Sequence, residues 1–172
     1  MCGFKGVVTR QDDHSNNINL AACGYLSTNL NNRGPSDRSI LTFDNCLFDH
    51  YRLAIRDVNA DSSKQPKESD RFIFGFNGEI YSEESDQLRR ITDESDTSFL
   101  WERLHRLGPN TLFNSLIGEY AYFIYDKKNQ ELHLGVDHNS VKPLYYTISS
   151  AGVFFSSSII DCHLISHHAS SS

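Results

Sequence analysis

The chain has 172 residues, 38% of them apolar and 12% aromatic, and a formal net charge of −6. That length and composition suit one substantial core, and the scattered Lys and Arg form no basic stretch for nucleic acid. No apolar run reaches the roughly 18–20 residues needed to cross a bilayer, and the opening MCGFKGVVTRQDD lacks the apolar stretch of a signal peptide, so a cytoplasmic protein without membrane partners is expected.

Residues 4–9 read as a first strand directly behind Cys2, which places that cysteine at the start of a rigid element. Between 16 and 31, Ile18, Ala22, Tyr25, Leu26 and Leu30 recur at helical spacing until Gly34-Pro35 stops the pattern. Strands follow at 46–55 and 71–77, joined by a polar stretch over 59–70, with Phe72, Phe74 and Phe76 on one face of the second. Ser95 is placed to cap a helix with Asp96 in its first turn, Phe99, Leu100, Leu104 and Leu107 as its buried stripe, and Gly108-Pro109 as its end.

The last third reads as four strands, 119–126, 131–136, 144–148 and 152–156, separated by turn-rich segments, hence an antiparallel sheet. In the first of them Tyr120, Tyr122 and Ile124 alternate with Ala121, Phe123 and Tyr125, so both faces are apolar and both need a covering layer. Two stacked sheets flanked by helices satisfy that need. From Ser166 the sequence SHHASSS has little to bury, so a domain over 1–165 and a polar, disordered tail over 166–172 are expected.

The four cysteines, Cys2, Cys23, Cys46 and Cys162, form no C-x-x-C pair, and a reducing compartment keeps them as thiols; the last three are expected to be buried packing residues. Cys2 differs, because removal of Met1 leaves a thiol and an α-amine on one residue, and an amine titrating near pH ~8 can act as the base for its own thiol. On its own the Met-Cys-Gly start reads more simply as a small residue that permits methionine removal.

Asn77-Gly78 closes an apolar strand with a side-chain amide followed by a glycine, a pair able to present two N–H groups to an oxyanion; alone it is an ordinary turn. Arg52 lies in the mostly apolar run His50 to Ile55 and needs a partner, either a substrate carboxylate or a structural Asp or Glu. The Cys162-His163 and His167-His168 cluster sits at a polar terminus without the further ligands of a folded site, and no metal or other cofactor is expected.

Taken in order, MCG at 1–3, RGP at 33–35, RLAI at 52–55, Gln65-Pro66, NGEIY at 77–81, SDT at 95–97 and KPLYY at 142–146 resemble the class II glutamine amidotransferase domains, within them the amino-terminal glutaminase domain of bacterial-type asparagine synthetases. The resemblance extends over nearly the whole chain. It implies an α+β N-terminal-nucleophile hydrolase, a four-layer αββα sandwich of two stacked, mainly antiparallel sheets. It further implies that Cys2 attacks the glutamine side-chain amide and that Asn77 and Gly78 hold the oxyanion. Arg52 would bind the substrate α-carboxylate, Glu79 and Asp96 its α-ammonium, and the backbone near Ile55 would line the pocket.

The family's Arg-Asp-x-x-Gly-x-Lys-Pro-Leu reads Val136-Asp137-His138-Asn139-Ser140-Val141-Lys142-Pro143-Leu144 here, and its Phe-Ser-Glu reads Phe155-Ser156-Ser157. No Ser-Gly-Gly-type pyrophosphatase loop occurs in the 172 residues. A separate ATP-dependent synthetase or ligase is therefore the expected acceptor of the ammonia. A catalytically silent relative used for binding or regulation, or a hydrolase of another amide, are the alternatives. The joint presence of Cys2, Arg52, Asn77, Gly78, Glu79 and Asp96 argues against both.

Overall fold

A computed structural model describes residues 2–9, 29–53, 64–83 and 95–170. In chain order its elements are β1 (Gly3–Thr9), the short helix α1 (Leu30–Arg33), β2 (Asp37–Phe43), β3 (Cys46–Arg52), β4 (Lys67–Glu68), β5 (Phe72–Glu83), α2 (Asp96–Leu107), β6 (Leu116–Asp126), β7 (Glu131–Val136), β8 (Tyr145–Ser149), β9 (Gly152–Ser156) and α3 (Ile159–Ser170). The helix expected over 16–31 lies outside the described residues apart from its last positions, which fall in α1. The backbone divides into two compact units, residues 1–54 with 143–172, and residues 55–142, each built on one antiparallel sheet.

In the first unit the strand order is β2-β3-β1-β9-β8. Phe4, Phe48 and Phe155 share one face of the sheet, with Phe155 edge-on to Phe4 at 6.2 Å between ring centroids. Gly6 makes room for them, since a Cβ there would lie 2.2 Å from the Phe155 ring. Helix α3 opens at Ser158, whose Oγ accepts from the Asp161 N–H at 3.3 Å in the manner of an N-cap, and is anchored by the buried Cys162 and Ile165. Its backbone continues to Ser170, into the stretch where a disordered tail was expected.

The opposite face of this sheet carries a buried charge cluster that composition alone does not announce. Asp49, fully buried, accepts from Arg38 Nε and Nη2 at 3.1 and 2.8 Å and from the Tyr51 hydroxyl at 2.8 Å, and lies 3.7 Å from the Nζ of Lys5, its cross-strand partner. Three neighbouring strands thus share one carboxylate. Removing it takes a shared carboxylate from Lys5, Arg38 and the Tyr51 hydroxyl at a buried position. Asp49→Ala is expected to cost about 3–5 kcal/mol of stability in urea unfolding, and a loss under about 1 kcal/mol would contradict this role.

In the second unit the order is β4-β5-β6-β7. Phe72, Phe74, Phe76 and Ile80 of β5 pack with Tyr120 and Ile124 of β6 beneath Leu100 and Leu104 of α2, as the period-two and helical patterns predict, with Phe99 partly buried against them, whereas Leu107, expected in the same stripe, is exposed at the end of the helix. Ser95 caps α2, its Oγ accepting from the Ser98 N–H at 3.2 Å. On the opposite face Ile73, Ala121, Phe123 and Tyr125 are buried as well, in agreement with the double-sided apolar pattern.

Two buried aspartates hold the loops of this unit. Asp126 accepts from Arg71 Nη2 at 2.9 Å and from the N–H groups of Lys128 and Asn129. Asp137 accepts from the N–H groups of Tyr120, Asn139 and Val141 at 2.9–3.0 Å. This loop turns through Ser140 at φ 54°, a left-handed conformation that explains why glycine suits the position in the resembling family.

Burial by itself would raise both carboxyl groups. The hydrogen bonds outweigh it, that from Arg71 leading at Asp126 and that from the Tyr120 N–H at Asp137, and both titrate below the ordinary aspartate range. With folded values below the unfolded value of about 3.9, their contribution to stability is present above that pH and lost as pH falls through the folded values. The stability gap between wild type and Asp137→Asn should therefore be widest near neutral pH and shrink in acid below about pH 4. A gap that widens on acidification would contradict the assignment.

Candidate active site

In the first unit Cys2 leads into β1, and its Sγ accepts from the Leu53 N–H at 3.2 Å. The start of β1 is held on its other side, where the Phe4 N–H donates to Ser157 Oγ at 3.2 Å and the Ser157 N–H returns a bond to the Phe4 carbonyl at 2.8 Å. The sulfur is thus held by the Leu53 backbone just past β3, and the strand behind it by Ser157 just past β9. Arg52 ends β3, partly buried, with Asp37 directly opposite in the β2–β3 register. Ile55 and Cys23 lie outside the described residues.

Arg33 is a residue to which the sequence assigned no role, although its motif was visible as Arg33-Gly34-Pro35. Its Nη1 donates to the Ser157 carbonyl at 2.6 Å. Burial pushes the guanidinium below its ordinary value, opposed by the negative charge that Cys2, Tyr145 and Asp161 can place near it. Gly34 is obligatory for packing, since a Cβ there would sit 2.4 Å from the Tyr51 carbonyl. An open cleft of about 780 Å³ in this unit is lined by Arg33, Asn29, Asn32, Leu53, Tyr145 and Ser158, among others.

In the second unit β5 carries Asn77, Gly78 and Glu79 in succession. Asn77 is 2% exposed, and its Nδ2 is buried and makes no hydrogen bond among the described residues. A buried amide donor left without a partner costs about 1–3 kcal/mol. Gly78 has φ +153°, and a Cβ on it would fall 2.0 Å from the Glu119 carbonyl, so no other residue fits beside the amide. Asp96, in the first turn of α2, accepts from the Ile80 N–H at 3.1 Å through Oδ2, which brings its carboxylate to the Glu79 end of β5.

That placement is secured by Gln65, which the sequence showed only as part of a Gln-Pro motif. Its Oε1 accepts from the Phe76 N–H at 2.6 Å and its Nε2 donates to Thr97 Oγ1 at 3.1 Å, tying the strand before Asn77 to the helix that carries Asp96. The other described thiols are unsuited to chemistry: Cys46 and Cys162 are buried, and burial pushes the Cys162 thiol up. No helix among the described residues is long and apolar enough to cross a membrane.

The fold is shared with an amidotransferase of solved structure. Glutamine phosphoribosylpyrophosphate amidotransferase from Bacillus subtilis, solved with ADP and GMP, superposes at a TM-score of 0.64 over 96% of this chain and 44% of its own, with 16% identity. The expected α+β class with two antiparallel sheets agrees with this match. The family described as glutamine amidotransferase domain matches residues 1–169, and the chain belongs to that family.

Asparagine synthetase B of Escherichia coli K12 is 28% identical over 135 residues, which are 76% of this chain and 24% of that protein. Asparagine synthetase 1 of Bacillus subtilis is 28% identical over 163 residues, 91% of this chain and 26% of the relative. An asparagine synthetase domain-containing protein of Drosophila melanogaster is 33% identical over 147 residues, 80% of this chain and 24% of the relative. The chain spans about a quarter of the length of these relatives.

Proposed function

We propose that this chain hydrolyses the side-chain amide of glutamine to glutamate and ammonia, with Cys2 as nucleophile. The observation that carries the reading is the buried, unpartnered Asn77 Nδ2 beside Gly78, a donor arrangement that suits an oxyanion and serves no structural bond among the described residues. Family membership supports it.

In this reading the α-amine of Cys2, freed by loss of Met1, takes the thiol proton as sulfur bonds to the amide carbon. The carbonyl oxygen gains charge and is held by Asn77 Nδ2–H and the Gly78 N–H. Collapse of the tetrahedral intermediate breaks the carbon–nitrogen bond, and the protonated amine returns its proton to the departing ammonia. Water then cleaves the thioester and restores the thiol. Arg52 pairs with the substrate α-carboxylate, Glu79 and Asp96 receive its α-ammonium, and the backbone near Ile55 lines the pocket.

The ammonia is passed to an ATP-dependent synthetase or ligase outside these 172 residues. The work is placed in the cytoplasm, where reducing conditions keep Cys2 a thiol. The test is direct assay of the purified protein for equimolar glutamate and ammonia from glutamine. Absence of both products in the presence and absence of ATP, with the protein folded, would leave the silent relative as the better reading.

A further inference from the structure

The β5–β6 ladder sets Glu79 directly opposite Glu119. Like charges in that position repel, so a sheet that keeps them has a use for one of them. The surroundings are built around the pair. Each glutamate follows a glycine, and each glycine leaves space for the carbonyl of the opposite glutamate: a Cβ on Gly78 would lie 2.0 Å from the Glu119 oxygen, and one on Gly118 2.3 Å from the Glu79 oxygen. The register then slips between Ile80 and Ser82, so Tyr81 is the extra residue of a bulge, and burial together with the nearby Glu119 carboxylate pushes its hydroxyl up.

The two carboxylates are treated differently by their neighbours. Lys142 Nζ lies 3.3 Å from Glu119 Oε2, with the lysine side chain only 17% exposed. Glu79 is exposed, and it makes no side-chain hydrogen bond or ion pair among the described residues. Two anions and one cation are thus arranged so that the cation is committed to one anion and the other is left open.

We propose that Glu119 is a positioning residue that holds Lys142, with the help of Tyr81, away from Glu79, and so keeps Glu79 available for the α-ammonium of the substrate. This rests on the reading of Glu79 given above. Without Glu119, Glu79 is the cross-strand carboxylate left to Lys142, and an occupied Glu79 selects against a substrate that presents an ammonium group.

The experiment compares glutamine with 4-carbamoylbutanoate, which keeps the amide and the carboxylate and lacks the ammonium group. Glu119→Gln is expected to raise KM for glutamine by about tenfold with kcat little changed, and to leave kcat/KM for the des-amino compound as it was. Adding Lys142→Met to Glu119→Gln removes the competing cation and should return KM for glutamine to within about threefold of wild type. Tyr81→Phe should shift KM in the same direction as Glu119→Gln, by a smaller factor. A merely structural role predicts neither the substrate dependence nor the second-site recovery.

An unchanged KM in Glu119→Gln, an equal loss on both substrates, or no recovery in the double variant would each overturn the proposal. Glu79→Gln separates the levels of the argument. If Glu79→Gln raises KM for glutamine and Glu119→Gln does not, Glu119 alone is misassigned. If Glu79→Gln itself has no effect, the role of Glu79 falls, and the proposal falls with it.

Discussion

Cys2→Ala is expected to abolish glutamine hydrolysis, with kcat lower by on the order of 10⁴–10⁶, the range seen when a covalent nucleophile is deleted and only the oxyanion donors and binding contacts remain. The fold should survive the change. Cys2 precedes β1, and its sulfur is tied only to the Leu53 backbone, whereas the strand behind it is held by Phe4 and Ser157 through groups the substitution does not touch. Urea unfolding should therefore report a loss within about 1 kcal/mol, the scale of one ordinary hydrogen bond. Cys2→Ser is the stricter variant, since it keeps the amine and a nucleophile of nearly the same size; it too should be crippled, because an alcohol is far less nucleophilic at neutral pH than a thiol. A Cys2→Ala protein that keeps a tenth of wild-type activity would mean that bond formation to Cys2 is not on the path.

Asn77→Ala is expected to lower kcat by about 10² to 10³, equivalent to roughly 2.7–4 kcal/mol of transition-state stabilisation, with little change in KM. The separation of the two parameters follows from the chemistry. The oxyanion exists only after attack, so its donor contributes to the transition state and hardly to the bound ground state. The structural consequence is opposite in sign. Because Asn77 Nδ2 is buried without a hydrogen bond among the described residues, its removal relieves an unsatisfied donor, and stability should hold or rise slightly. A large fall in stability, or a KM increase without a fall in kcat, would place Asn77 among the packing or substrate-binding residues.

Much of the fold was legible because its strongest elements obey simple periods. The Phe72, Phe74, Phe76 alternation, the Ser95 cap with the Leu100 and Leu104 stripe, and the double-sided apolar strand of β6 all follow from local pattern plus burial, and the structure has them where expected. The strand β2 was not foreseen, because its residues are largely exposed and it pairs along one edge only, which leaves no apolar rhythm to read. Helix α3 was hidden for a related reason: Cys162 and Ile165 are its buried apolar anchors among the described side chains, while Ile159 and Ile160 are exposed, so no continuous apolar stripe shows.

The site divides in the same way. Cys2, Arg52, Asn77 and Gly78 stood out by residue type and setting, while the roles of Glu79 and Asp96 came only from the family resemblance. Arg33, Gln65 and Glu119 were given no role, since their contributions depend on contacts between segments distant in sequence: Arg33 with Ser157, Gln65 with Phe76 and Thr97, Glu119 with Glu79 and Lys142. Motif reading locates the groups proposed to act on substrate. Groups that place those groups emerge only from register and tertiary contact.

The most direct test of Cys2 as nucleophile is covalent trapping with a glutamine analogue that carries a diazoketone in place of the amide, followed by intact and peptide mass measurement. One equivalent is expected, on the peptide that begins at Cys2 with Met1 removed, and glutamine in excess should protect it. Adduct on Cys23, Cys46 or Cys162, or modification that glutamine does not slow, would contradict the account.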